Sequence, residues 1–232
     1  VLGGIGPLAT VHFLERVVRL TDADRDQDHV DLVVFQHATV PDRTAFLLGR
    51  SGENPGEVLA QDARRLADLG VSAVVLPCNT ADAFRDRLVA AVPVPVVSIV
   101  ERTVTEAVTG RGSRPAAVGV LATEGTVAAD VYGAELAARD VAQVLPSDAD
   151  QRTVTEIIYG QVKRGVPSDG TALRAVVDRL REAGADRVVL GCTELSVAAR
   201  EHGLLADTLV VDSVETLAAD TVRRAGRRLR PA

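Results

Sequence analysis

Short runs of Val, Leu and Ile alternate along this 232-residue chain with segments whose apolar residues return every third or fourth position. The runs predict strands buried on both faces, the periodic segments predict amphipathic helices, and their alternation is the signature of an α/β fold built on parallel sheets. Strands are predicted at Asp31–Phe35, Ser72–Leu76, Val94–Ser98, Ala116–Leu121, Val141–Leu145, Arg187–Leu190 and Thr208–Val211. Leu173, Val176, Val177 and Leu180 mark one helical stripe, and Leu59, Ala63 and Leu66 mark its counterpart in the first half. Pro7 after Gly6 suits the first turn of a helix running to about Leu20. The segment Val40–Pro55, with Pro41, Gly49 and Gly52 inside it, reads as a long loop and therefore as a candidate lid.

The pattern also repeats. Leu69–Thr80 and Ala183–Glu194 align without a gap, each a helix end, an apolar run and then a cysteine. Val1–Pro7 similarly resembles Val120–Thr126 as strand, turn and helix start. Two pseudo-symmetric lobes follow, each a mostly parallel sheet flanked by helices, with the active site in the cleft between them. Residues 1–98 together with 208–232 are assigned to the N-terminal lobe and residues 99–207 to the C-terminal lobe. In this reading a helix from Glu101 leads into the second lobe, and the chain returns to the first near Asp207 for a last strand and helix.

Composition narrows the function. A net charge of −6 argues against a nucleic-acid partner. Arg223, Arg224, Arg227, Arg228 and Arg230 read instead as cations completing a helix end. The longest apolar stretch, around Val92–Val100, is short and interrupted by Pro93 and Pro95, so no membrane role is expected. Two cysteines with no signal peptide before them point to a reducing cytoplasm, where a thiol is more often a reagent than a staple.

An isolated cysteine in an apolar run is ordinarily a small buried hydrophobe. Cys78 and Cys192, however, hold matched positions at the ends of the two repeated strands, beside helix starts, where open α/β sheets bind ligands. Disulfide oxidoreductases keep their paired cysteines close in sequence, which these are not. Thiols facing one site from two half-copies suit a different chemistry, in which one removes a proton from one face of a carbon while the other delivers a proton to the opposite face. Charge developing on the neighbouring carboxylate then needs preorganised donors, and Asn79, Thr80, Thr123, Thr126 and Thr193 are available, although each alone fits a helix cap.

Other chemistries find less support. Gly4-Ile5-Gly6-Pro7-Leu8-Ala9 fits a dinucleotide-binding pattern, but Gln36-His37 stand where the acidic ribose partner belongs. His12, His29, His37 and His202 are scattered, and neither cysteine has a partner at metal-ligand spacing, so no metal is expected.

Gly3-Gly4-Ile5-Gly6-Pro7-Leu8-Ala9-Thr10, Pro77-Cys78-Asn79-Thr80-Ala81 and Gly191-Cys192-Thr193-Glu194-Leu195 together resemble the signatures of the cofactor-independent aspartate/glutamate racemases. Pro41-Asp42-Arg43-Thr44 and Ile158-Tyr159-Gly160-Gln161-Val162-Lys163 are similar to two segments of its aspartate-type branch. The resemblance spans essentially the whole chain. It implies racemisation of an acidic amino acid, aspartate first, with no cofactor, Cys78 and Cys192 being the acid/base pair. It further implies Asn79, Thr80 and Thr123 around the α-carboxylate, Arg43 with Lys163 at the side-chain carboxylate, and, by analogy, a homodimer. Thr193 is counted with the substrate-binding residues, and Gly6, Asp82, Thr126 and Glu194 are supporting positions.

Asp82 departs from the family pattern, since many relatives carry histidine four residues after the first cysteine. A carboxylate there is expected either to disfavour the thiolate or to meet the substrate ammonium. Glutamate racemisation and maleate isomerisation remain alternatives within the superfamily, whereas a hydantoin has no carboxylate for Arg43 and Lys163. A non-catalytic dicarboxylate-binding protein on the same fold is the alternative outside enzymology.

Overall fold

The computed structural model describes residues 1–110 and 112–231. In chain order the elements of the first half are β1 (Leu2–Gly3), α1 (Pro7–Leu20), β2 (Phe35–Gln36), α2 (Arg43–Leu47), α3 (Pro55–Asp68), β3 (Val74–Val75), α4 (Arg85–Val89), β4 (Val96–Val97) and α5 (Ile99–Thr109). There follow β5 (Ala117–Ala122), α6 (Glu124–Ala128), α7 (Val131–Ala137), β6 (Ala142–Val144), α8 (Asp148–Thr155), α9 (Gly170–Glu182), β7 (Arg187–Gly191), α10 (Thr193–Glu201), β8 (Val210–Asp212) and α11 (Ser213–Arg224). All strand pairings in these sheets are parallel, in the order β1-β2, β3-β4 and β6-β5-β7-β8.

The alternation of side chains along the strands explains the layering. Val118, Val120 and Val189 send one face of the four-stranded sheet into a core that also holds Val75 and Val97 from β3 and β4. Phe13 and Val17 of α1, Val104 and Ala107 of α5, and Leu217 and Val222 of α11 fill that same core. Leu121, Val188 and Leu190 turn to the opposite face and pack with Leu173, Val176, Val177 and Leu180 of α9, the stripe expected from its spacing. Val74 and Val96 meet Leu59, Ala63 and Leu66 of α3 in the corresponding outer core of the first half.

Three features differ from the sequence expectation. The first-half strands are only two residues long and form two separate pairs. Pro77 has no N–H with which to extend β3, and Val33 and Val34, expected inside a buried strand, are exposed. Second, the strand expected at Thr208–Val211 forms at Val210–Asp212 but pairs with β7, enlarging the second sheet rather than returning to the first. A strand, a crossover helix and a further strand place their strands side by side, and α10 is that crossover; α11 then packs against α1 as well as α5. Third, Val40–Pro55 is not all loop. Asp42 accepts a hydrogen bond from the Ala45 N–H at 2.7 Å and so starts α2 within it.

The arginines after α11 are anchored to the far end of α1, where Thr21 and Leu229 form an antiparallel bridge and the Arg230 N–H donates to the Leu20 carbonyl at 2.8 Å. Among the described residues no helix is long and apolar enough to cross a membrane.

Candidate active site

β5 and β7 lie side by side and end in register, Ala122 opposite Gly191, so the residues that follow, Thr123 and Cys192, emerge at one sheet edge. Cys192 is the N-cap residue of α10 and Thr123 that of α6, where its hydroxyl accepts from the Thr126 N–H. A side chain at Gly191 would meet the Tyr132 ring at 2.8 Å, so the strand end can come this close to α7 only because the position is glycine. In the first half Cys78 follows β3 and Pro77, its N–H donating to the Leu76 carbonyl at 2.9 Å. No α-helix begins after it: Thr80–Phe84 is a 3₁₀ helix.

The two cysteines, each almost fully buried, line a single chamber with Ile5, Arg43, Thr44, Asn79, Thr80, Thr123, Tyr159, Lys163, Thr193 and Glu194. Its free volume is about 10 Å³, the room a single water requires. Beyond it lies a cavity of about 300 Å³ walled by Gly4–Leu8, Ala38, Val40, Asp42, Arg43, Val162, Lys163 and Glu194. The two spaces share Ile5, Arg43, Lys163 and Glu194, which form the partition between them. The largest cleft, about 580 Å³ along β8 and α11, contains neither thiol.

Polar groups in the chamber are closely coupled. Thr80 Oγ1 lies 3.0 Å from Thr123 Oγ1 and 2.8 Å from Thr126 Oγ1, while Thr44 donates to Thr123 Oγ1 at 3.2 Å. Asn79 is already committed: its Oδ1 accepts from the Tyr132 hydroxyl at 2.6 Å and its Nδ2 donates to Ser213 Oγ at 3.1 Å. Buried Arg43 donates from Nη1 to the Pro41 carbonyl at 3.1 Å, and its guanidinium lies within hydrogen-bonding reach of the Cys78 sulfur.

Glu194 connects the second thiol to the second cation. Its Oε2 accepts from Cys192 Sγ at 3.1 Å and its Oε1 accepts from Lys163 Nζ at 2.8 Å. Burial, then the Glu194 carboxylate, push the Cys192 thiol well up, so it is held protonated. Burial also acts to raise the Glu194 carboxyl, but the Lys163 ammonium outweighs it and the carboxyl lies below its ordinary value. For Lys163 itself burial is overcome by Glu194 and the thiols, and its ammonium is stabilised. Lys163 also stands over the Tyr159 ring, 5.4 Å from its centre.

A sequence profile of the Asp/Glu/Hydantoin racemases matches residues 2–221. The chain belongs to that family. The aspartate racemase of Picrophilus torridus superposes with a TM-score of 0.84 at 28% identity, covering 99% of this chain and 94% of that one. A broad-specificity amino-acid racemase of Bacillus subtilis, RacX, is 27% identical over 229 residues, 96% of this chain and 95% of the relative. A glutamate racemase of Deinococcus radiodurans is 33% identical over 181 residues, 74% of this chain and 59% of that protein. The parallel α/β fold and racemase, hence isomerase, class are those of the family.

Within this racemase the structure gathers Cys78, Cys192, Arg43, Asn79, Thr80, Thr123, Lys163, Thr193 and Glu194 at the chamber. Thr126 reaches it through the hydroxyl cluster, and Gly6 is adjacent, since a Cβ there would lie 3.0 Å from Glu194 Oε1. Asp82 is the exception. It is absent from the chamber wall, and its Oδ2 accepts from the Ser98 hydroxyl at 2.7 Å, which turns its carboxylate to the N-terminus of α5. Burial raises that carboxyl to about 6, Ser98 acting against the shift.

Sequence reasoning assigned no role to Ile5, Thr44, Tyr132 or Tyr159. Tyr159 carried a usable signal, four residues before Lys163 in a helical segment, the spacing at which a cation meets a ring. That segment, Glu156–Gln161, is a π-helix, a geometry frequent at functional sites. Tyr132 carried no such signal, because a tyrosine on an apolar helix face reads as core.

Proposed function

We propose that this racemase inverts the α-carbon of an acidic amino acid, aspartate first, by two-base proton transfer between Cys78 and Cys192. The observation that carries the reading is the shared chamber, in which both thiols meet two cations, Arg43 and Lys163. Cys192 is held as a thiol, so it is the donor, and proton abstraction falls to the Cys78 thiolate beside Arg43. The thiolate takes the α-hydrogen as a proton, the electron pair left behind spreads into the α-carboxylate, and the Cys192 thiol protonates the opposite face. The product has inverted configuration, and the two sulfurs have exchanged protonation states.

The charge that develops on the α-carboxylate is met by the hydroxyls of Thr80, Thr123 and Thr126 and by the chain at the start of α10. A chamber this small admits substrate only by moving its partition, and its closure removes water from the carbanion. Arg43 and Lys163 favour a substrate with a second carboxylate, which supports aspartate, glutamate or maleate over a hydantoin. By analogy with the family the enzyme is a cytoplasmic homodimer, which sedimentation and cell fractionation test.

The experiment is incubation of each enantiomer of aspartate and glutamate in deuterated water, with maleate and a hydantoin alongside. Aspartate is expected to gain α-deuterium as its optical rotation decays, and faster than the others. Calorimetric binding of aspartate with no exchange would favour a non-catalytic binder.

A further inference from the structure

Every substrate-facing cation of the chamber should be open to a substrate carboxylate, yet Lys163 is already satisfied by a carboxylate of the protein. Glu194 is 5% exposed, and its two oxygens are divided: Oε1 to Lys163 Nζ at 2.8 Å, Oε2 to Cys192 Sγ at 3.1 Å and Thr193 Oγ1 at 3.2 Å. Both members of the pair belong to the partition between the outer cavity and the chamber. The third side of the pair is the backbone at Gly6, where a Cβ would lie 3.0 Å from Glu194 Oε1 and 3.7 Å from Lys163 Nζ. The pair therefore fits only because position 6 is glycine.

We infer that Glu194 is a positioning residue that competes with the substrate's side-chain carboxylate for Lys163, latching the partition while its other oxygen accepts the Cys192 S–H. This rests on the two-thiol reading above and deepens it. A substrate carrying a second carboxylate replaces Glu194 at Lys163 with like for like, so no buried ammonium is left unpaired during exchange. A monocarboxylate substrate offers nothing in return, and the latch stays closed. Selection of a dicarboxylate thus occurs at the partition, before the α-carbon reaches the sulfurs. Release of Lys163 also changes the electrostatics at Cys192, tying the acid to the arrival of the correct side chain.

The titratable groups facing Cys192 are Glu194, Lys163, Tyr159 and Tyr132, with Cys78 and Arg43 on the chamber wall. The test uses the Cys78→Ser protein, in which Cys192 is the one remaining cysteine, so that ultraviolet thiolate absorbance against pH reports that sulfur alone. Adding Glu194→Gln removes a neighbouring negative charge and should lower the ionisation midpoint by about one pH unit or more. Adding Lys163→Met removes the positive charge and should raise it. Opposite shifts separate the latch from general loosening of the fold, which moves both variants the same way.

In parallel, calorimetry with succinate, a dicarboxylate with no amino-bearing carbon, should show several-fold tighter binding to Glu194→Gln than to the unmodified chain. Thiolate midpoints that stay put or move together, or succinate binding that is unchanged or weakened, would overturn the inference. Neither readout requires turnover. A protein that passed both and failed to exchange deuterium would lose the racemisation reading and keep the latch.

Discussion

The Tyr132 hydroxyl donates to Asn79 Oδ1 at 2.6 Å, linking α7 of the second half to the residue that follows Cys78. Tyr132 is fully buried, and burial makes its phenol a still weaker acid, so it serves as a fixed donor. Because Asn79 is also held by Ser213, the Cys78–Asn79 turn is pinned from two directions. Tyr132→Phe keeps the ring and leaves the Asn79 carbonyl without this donor. Urea unfolding should show a loss of about 1–3 kcal/mol, the usual cost of a buried unpaired polar group. The rate of α-proton exchange at saturating aspartate should fall more than KM rises, because the change displaces a reacting sulfur rather than a binding cation.

Arg43 combines a charge with a planar fork that donates to the Pro41 carbonyl and reaches Cys78. Lysine at that position keeps the charge and loses the fork. For Arg43→Lys the kcat/KM for aspartate should fall about 10- to 100-fold, equivalent to about 1.5–3 kcal/mol of charge-assisted hydrogen bonding. Steady-state polarimetry measures it.

Gly125 in α6 faces α2, and a Cβ there would lie 2.6 Å from the Thr44 Cα. That contact is with backbone, which cannot rotate away, so Gly125→Ala must push α2 and its Arg43 off α6. KM for aspartate should rise, with a stability loss of about 1–3 kcal/mol from overpacking. Kinetics and thermal unfolding of the one variant test both.

Asp212 caps α11, accepting at Oδ1 from the Ser196 hydroxyl and, at 2.9 Å, from the Val214 N–H, while its Oδ2 has no partner among the described residues. Burial raises this carboxyl from 3.8 to about 6, the hydrogen bonds opposing the shift. The native state therefore holds a proton that the unfolded chain has already released. The stabilisation is whole below about pH 3.8 and is lost as pH climbs through about 6. Asp212→Asn caps equally well and does not titrate. Its stability relative to the parent should increase between pH 4 and pH 7 by roughly 2–3 kcal/mol at most. Urea unfolding across that range measures it, and a pH-independent difference would remove Asp212 from the account.

The sequence made the fold legible where local signals were complete. Gly6-Pro7 marked the start of α1 and the helix ends at Leu20 as read, and the long apolar runs of β5 and β7 became the centre of the larger sheet. The aligned halves placed both cysteines at strand ends, and the chamber holds both. What stayed hidden was long-range. Nothing local to Val210–Asp212 tells which sheet has a free edge, and the proline that shortens β3 acts through hydrogen bonds it cannot make. Asp82 looked like a neighbour of Cys78 because helical spacing was assumed, whereas Ser98, on another element, captures its carboxylate. Glu194 stood next to the second motif, but that it would pair with Lys163, 31 residues earlier, required the three-dimensional arrangement.

The most direct test of the central claim compares the unmodified chain with Cys78→Ala and Cys192→Ala, following optical rotation and α-deuterium of L- and D-aspartate in deuterated water. The two-thiol account predicts that the parent racemises both enantiomers with deuterium incorporation and that neither variant racemises either one. Sustained racemisation by a protein lacking one of these sulfurs would contradict it.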